Sequence, residues 1–199
     1  MFFTLVFGLE NCTEFPSWFH QKVIPKISNN IPDEVWFGPR TWHISLASYS
    51  VSDSVDVKLL SNSVGYVKKL LQSKLNELND ICVNGFQEYW GYMAFTWTTS
   101  TKSELTPIAR FCCKEFEQQL KLNNIEYKRQ YAPDPHCTIR AITKQVLDEI
   151  SGKFSDLPKE MTLMPKKFIC DSIALHIGGS FKNYQDYYNR QYNAIYSNS

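Results

Sequence analysis

The sequence lacks a marked excess of charge, a long apolar run and a Cys-x-x-Cys pair. Lysine and arginine total 21 against 20 aspartates and glutamates, which leaves a net charge of +1. Such a chain has no general electrostatic means of gripping long nucleic acid, so we expect no long nucleic-acid partner. No apolar window approaches the roughly 20 residues that span a bilayer, so we expect no membrane partner either.

The cysteines and the N-terminal residues indicate the cellular compartment. None of the six cysteines forms a Cys-x-x-Cys pair, and several lie in apolar stretches, where cysteine behaves as a small core residue. Residues 1–8 are apolar, but they have no basic start and Glu10 follows at once, so they predict a first strand rather than a signal peptide. We therefore expect a reducing, cytoplasmic location.

The remaining chain alternates between strand and helix patterns. Its 199 residues, 43% hydrophobic, suffice for one well-buried domain of two lobes, expected over residues 1–180. A tail over 181–199 has no clear periodicity and is expected to be partly disordered. Residues 85–91 and 127–135 are predicted as connections. Apolar spacing predicts an α+β fold with strands at 1–8, 41–49, 81–83, 92–98, 136–140 and 167–177, and helices at 13–27, 55–78, 102–122 and 143–154.

Two short motifs stand out within the predicted strands. His43-Ile44-Ser45 and His136-Cys137-Thr138 each place a hydroxyl residue two positions after a histidine. Side chains alternate between the faces of a strand, so each histidine shares a face with its hydroxyl partner. Two such strands side by side would offer two imidazoles and two hydroxyls to one cleft.

Three further residues near the motifs are candidates for ligand contact. Arg140 shares the predicted face of His136 and Thr138, so it is a candidate for a phosphate contact or for an ion pair between lobes. Tyr131 and Trp42 flank the motifs and are candidates for stacking on a base. Trp42 has the opposite strand parity to its histidine neighbour, which favours the core as its alternative position.

The other two histidines lack the hydroxyl partner. His20 lies on a predicted helix and is interpreted as a partly buried helix residue, and His176 is interpreted as structural or exposed at a sheet edge. No carboxylate or cysteine stands at ligand spacing from either motif histidine. We therefore predict neither a metal ion nor another cofactor.

The paired motifs resemble those of the 2H phosphoesterase superfamily, whose hallmark is two His-x-Ser/Thr strands facing each other. Within it, the Pro135-to-Thr138 motif and the final strand ending in Ile-Gly are most similar to 2',5'-phosphodiesterases that coronaviruses carry as accessory proteins, and to a related A-kinase anchoring protein domain. The resemblance implies a bilobal, pseudo-duplicated α+β fold with two antiparallel sheets, outer helices and a central cleft. It also implies that His43 and His136 exchange protons while Ser45 and Thr138 bind the phosphate.

The resemblance implies metal-independent cleavage of 2',5'-linked oligoadenylates, short messengers of an antiviral pathway, by a monomer in the host cytosol. Imidazole suits this chemistry because its usual pKa, about 6.5, lets one copy act as base and another as acid near neutrality. Cleavage of a 2',3'-cyclic phosphate or a cyclic dinucleotide would need the same four residues, so the motifs leave these open. A non-catalytic RNA- or nucleotide-binding module is the alternative from another class.

Overall fold

A computed structural model describes residues 1–9, 11–12, 14–23, 42–89, 92–131, 133–141, 160–178 and 193–196. The strands are Phe2–Gly8 (β1), His43–Val51 (β2), Ile81–Tyr89 (β3), Tyr92–Trp97 (β4), Tyr127–Arg129 (β5), Thr138–Ala141 (β6), Met161–Met164 (β7), Ile173–Gly178 (β8) and Asn193–Tyr196 (β9). The helices are Glu14–Trp18 (α1), which a π turn continues over Phe19–Val23, Val57–Ser73 (α2) and Thr99–Leu122 (α3), with 3-10 turns at Leu75–Glu77 and Lys166–Phe168.

The strands form two antiparallel sheets. The five-stranded sheet has the order β5-β2-β1-β8-β9, and the four-stranded sheet has the order β6-β4-β3-β7. Every strand pair in both sheets is antiparallel. The predicted α+β class with two antiparallel sheets is confirmed at this level.

Local sequence fixes where the two long helices begin. The Asp56 side chain accepts a hydrogen bond from the backbone N–H of Lys58 and caps α2. Thr98 caps α3 in the same way through the N–H of Thr101. Each helix then buries one stripe at spacings of three and four residues, and this stripe faces the core.

The long helix α3 packs on one face of the five-stranded sheet. Phe116 of α3 lies edge-on to Phe3, with ring centroids 5.9 Å apart, and 5.5 Å from Tyr49. Thr4, next to Phe3, has the opposite parity and pairs with Ser48 on one side and His176 on the other. We call the face defined by Thr4, Ser48 and His176 the site face.

The prediction of a connection over residues 85–91 is wrong for 85–89, which continue β3. The pairing of β3 with β4 shifts register between Val83 and Gly85, and a Cβ on Gly85 would lie 3.1 Å from the Thr96 hydroxyl oxygen. Glycine suits this irregularity, and it interrupts the apolar pattern without ending the strand.

Several other predicted boundaries differ. Residues 127–129 form β5 against β2, and β7 lies between the predicted helix over 143–154 and the predicted strand over 167–177. The last predicted strand starts at Ile173 instead of residue 167, because a 3-10 turn precedes it. Residues 193–196 of the predicted tail pair with β8. The predicted helix over 143–154 lies outside the described residues.

Within the described ranges, no helix combines the length and the apolar character needed to cross a bilayer.

Candidate active site

The two motifs meet where the two sheets come together. Ser45 donates its backbone N–H to the carbonyl oxygen of His136 at 2.8 Å, and the N–H of His136 donates back to Ser45 at 3.3 Å. Directly opposed residues of an antiparallel bridge project their side chains to the same face. Strand parity adds His43 and Thr138, so all four motif side chains lie on one face.

The alternate residues of both motifs are buried, as the sequence predicts. Ile44 and Leu46 of β2, together with Cys137 and Ile139, are each 0% exposed. Burial raises the pKa of the Cys137 thiol, which therefore stays protonated and acts as a core group.

A bulge in β2 extends the site face beyond the motif. Ser45 pairs with Val6, but the next partners are Ala47 and Leu5, so Leu46 is an extra residue. Leu46 and Ala47 are both fully buried. Ser48 therefore returns to the same face as Ser45, although it lies three positions further along the strand.

Asp134 and Tyr89 both contact the ring of His136. Its Nδ1 lies 2.8 Å from the carbonyl oxygen of Asp134. A carbonyl only accepts hydrogen bonds, so Nδ1 carries the proton and Nε2 carries the lone pair of the neutral ring. Tyr89 stacks on the imidazole at 4.6 Å between centroids, and its hydroxyl donates to the Asp134 carboxylate.

The surroundings of His136 favour its neutral form. Burial lowers the pKa of His136 below its usual value, against smaller opposing effects of the Asp134 carbonyl and carboxylate. A neutral imidazole with a defined tautomer can accept a proton near neutral pH.

His43 has a different neighbour, which the sequence did not indicate. Its ring lies edge to face with that of His176, at 4.5 Å between centroids and an interplanar angle of 70°. His176 is 5% exposed and sits in β8, between β1 and β9. This burial excludes the edge-exposed alternative for His176 and agrees with a structural position. The residue spacing around His176 does not predict this contact, because the contact depends on how β1 pairs with β2 and β8.

Hydroxyl groups line the site face beside the histidines. The Thr4 and Ser48 hydroxyl oxygens are 2.8 Å apart, and that of Ser48 is 3.0 Å from the Tyr131 hydroxyl. The Tyr131 ring is half-buried, with its centroid 6.4 Å from that of His136. Burial raises the pKa of Tyr131, so these groups are neutral hydrogen-bonding partners.

The remaining candidates for ligand contact are Trp42 and Arg140. Trp42 is 1% exposed and packs edge to face against Phe19 and Phe95, at 5.4 Å and 5.3 Å. This corrects its candidacy for base stacking in favour of the core alternative. The backbone of Arg140 pairs with Met93, while its side chain lies outside the described part of the structure, as does that of His20.

Two basic residues that precede the second motif, Arg129 and Lys128, lie on opposite faces of the five-stranded sheet. Arg129 donates to the Glu117 carboxylate at 2.8 Å, on the helix side of the sheet where Tyr49 also bonds Glu117. Lys128 pairs with Ser50, two residues after Ser48, so it belongs to the site face.

Among the residues that the structure describes, no group of three or more histidine, cysteine or acidic side chains is placed to hold a metal ion. The chain matches no protein-family model, and none of the curated proteins is significantly similar to it. The site itself combines two imidazoles in unlike surroundings with two hydroxyl groups.

Proposed function

We propose that this chain is a phosphodiesterase that cleaves 2',5'-linked oligoadenylates by proton transfer between His43 and His136. The observation that carries the proposal is the backbone bridge between Ser45 and His136, which puts both His-x-Ser/Thr motifs on one face. The motifs resemble those of the 2H phosphoesterases, and the antiparallel two-sheet fold is compatible with that family.

In this proposal His136 is the base. Its Nδ1 proton is directed to the Asp134 carbonyl, so Nε2 takes the proton of the attacking hydroxyl or water. The nucleophile's oxygen then forms a bond to phosphorus. His43, in its protonated form, gives a proton to the departing 5'-oxygen as the bond from phosphorus to that oxygen breaks.

Ser45 and Thr138 are proposed to donate hydrogen bonds to the non-bridging phosphoryl oxygens. Charge gathers on these oxygens in the transition state, where fixed donors stabilise it most. Ser45 is held rigidly because its backbone is bonded to His136 on one side and paired with β1 on the other.

The substrate class is proposed from the resemblance and from the hydroxyl groups of the site face. Hydroxyl groups of Thr4, Ser48 and Tyr131 suit the sugar and base of a short oligonucleotide better than a long phosphate backbone. The same resemblance supports a monomer that acts in the host cytosol and removes the messenger of an antiviral response.

The test is a substrate panel with purified protein in excess EDTA. It comprises 2',5'- and 3',5'-oligoadenylate, a 2',3'-cyclic nucleotide and a cyclic dinucleotide, with products separated by chromatography. We expect turnover of the 2',5' substrate. Intact 2',5' substrate beside a cleaved alternative would overturn the substrate class, and binding without any turnover would favour a nucleotide-binding module.

A further inference from the structure

A third histidine contacts the proposed acid from a strand that carries no motif. His43 is on β2 and His176 on β8, and both strands pair with β1. Their rings reach toward each other on the site face, with centroids 4.5 Å apart and planes at 70°. Edge-to-face contacts of this kind fix the relative orientation of two rings.

His176 is also the more deeply fixed of the two rings. It is 5% exposed, in the interior strand β8, directly opposite Thr4 on β1 and Ala194 on β9. His43 is half-buried. A buried ring of this kind can therefore hold the position of the half-buried ring beside it.

Among the described residues, His43 is the charged group that acts on the pKa of His176. Burial is the main cause that lowers its pKa, to about 2, and charge on His43 is the second. From β1 it faces the Thr4 hydroxyl, which bonds to Ser48, and from β2 it faces His43. The side chains of β9 lie outside the described set. His176 is neutral near pH 7, so it does not oppose a proton on His43.

We infer that His176 is a positioning residue whose buried ring holds the imidazole of His43 at the phosphodiester. The inference rests on the proposed function, because it assigns His176 to the same site. His176 itself transfers no proton. Its role is to keep the proton-carrying ring within reach of the leaving oxygen.

Three variants separate positioning from general stability. His176→Ala removes the ring, and His176→Phe keeps a flat ring of similar size. Leu175→Ala is the matched control, because Leu175 is 0% exposed on the opposite face of β8 and pairs with Leu5. It weakens the same strand without touching His43.

The kinetic readout is kcat and KM of each folded variant, measured well below its unfolding temperature. A misplaced catalytic group reduces turnover more than binding, so we expect His176→Ala to lower kcat by about 10- to 100-fold with little change in KM. We expect His176→Phe to stay within about threefold of the wild type, and Leu175→Ala likewise. An equal loss in Leu175→Ala and His176→Ala would overturn the positioning role. If His176→Ala does not fold, a His176→Phe variant as inactive as His43→Ala would overturn it.

A second readout does not depend on activity. Long-range proton–nitrogen NMR spectra of the histidine-labelled full chain report the tautomer and titration of His43. We expect His176→Phe to leave them close to the wild type and His176→Ala to change them. Identical His43 signals in all variants would overturn the contact. A wild type inactive on every phosphodiester would overturn the proposed function, while these spectra would still decide the contact.

Discussion

Ser45 and His136 exchange two backbone hydrogen bonds, at 2.8 Å and 3.3 Å, across a single antiparallel bridge between the two sheets. One residue beyond the bridge, the N–H of Phe95 in β4 donates to the carbonyl oxygen of Cys137 at 3.1 Å. The second motif is therefore bonded to β2 on one side and to β4 on the other. This arrangement fixes the distance between the motifs through the backbone.

Replacement of either motif histidine is predicted to abolish most of the turnover. Loss of a positioned acid or base typically costs about 10²- to 10⁴-fold in rate, so we expect kcat of His43→Ala and His136→Ala to fall by that range. Their fold should persist, because both side chains are half-buried on the site face. Steady-state kinetics with far-UV circular dichroism checks this. Ser52→Ala, in an exposed turn, is the control and should keep wild-type kinetics.

Removal of a phosphate donor is predicted to lower kcat and kcat/KM together. For Ser45→Ala and Thr138→Val we expect a loss of about 10²-fold, because each donor acts on charge that develops in the transition state. Thr138→Ser keeps the hydroxyl and should recover most of the rate. A Thr138→Val enzyme with wild-type kcat would contradict the assigned role.

Tyr89 is predicted to set the titration of His136. Its ring covers the imidazole at 4.6 Å, and burial is the main cause that lowers the pKa of His136. Tyr89→Ala admits water, so the pKa of His136 should rise toward about 6.5 and the acid limb of the rate profile should move to higher pH. Tyr89→Phe keeps the stacked ring and is the control. Matching limbs in wild type and Tyr89→Ala would contradict this cause.

Stability is predicted to fall as the pH drops below the usual pKa of histidine. The folded-state pKa values of His136 and His176 both lie below the unfolded value, so the unfolded chain binds more protons in that window. Above about pH 6.5 these histidines are neutral in both states, and the free energy of unfolding has its full value. Below that pH, each proton that the unfolded chain binds and the folded chain does not lowers the free energy of unfolding by about 1.4 kcal/mol per pH unit.

The measurement is urea unfolding at about pH 7.5 and about pH 5.5. Relative to the wild type, His176→Phe should lose about 1 kcal/mol less between the two, because it has no buried imidazole to protonate. The same loss in both proteins would mean that His176 titrates normally in the fold.

Alternation along the strands was sufficient to predict the faces of the motif side chains. His43 and Ser45 against Ile44 and Leu46, and His136 against Cys137, follow from the two-residue period and the need to bury apolar groups. Likewise, the three- and four-residue spacing of buried positions in α2 and α3 matches the predicted helices.

What the sequence could not supply is the information carried by pairing between strands. The place of His176 depends on the register of β1 with both neighbours, and the continuation of β3 past Gly85 depends on its pairing with β4. The same holds for Tyr89, whose contact with His136 joins the end of β3 to the residues just before β6. Such contacts are set by tertiary packing and leave no local pattern.

The most direct test of the central claim is the initial rate of 2',5'-linked triadenylate cleavage in excess EDTA, for the wild type, His43→Ala and His136→Ala. The account predicts turnover by the wild type and near-complete loss in each variant, since the two rings act on one phosphodiester. A wild type that leaves the substrate intact, or variants that cleave it at the wild-type rate, would contradict the account.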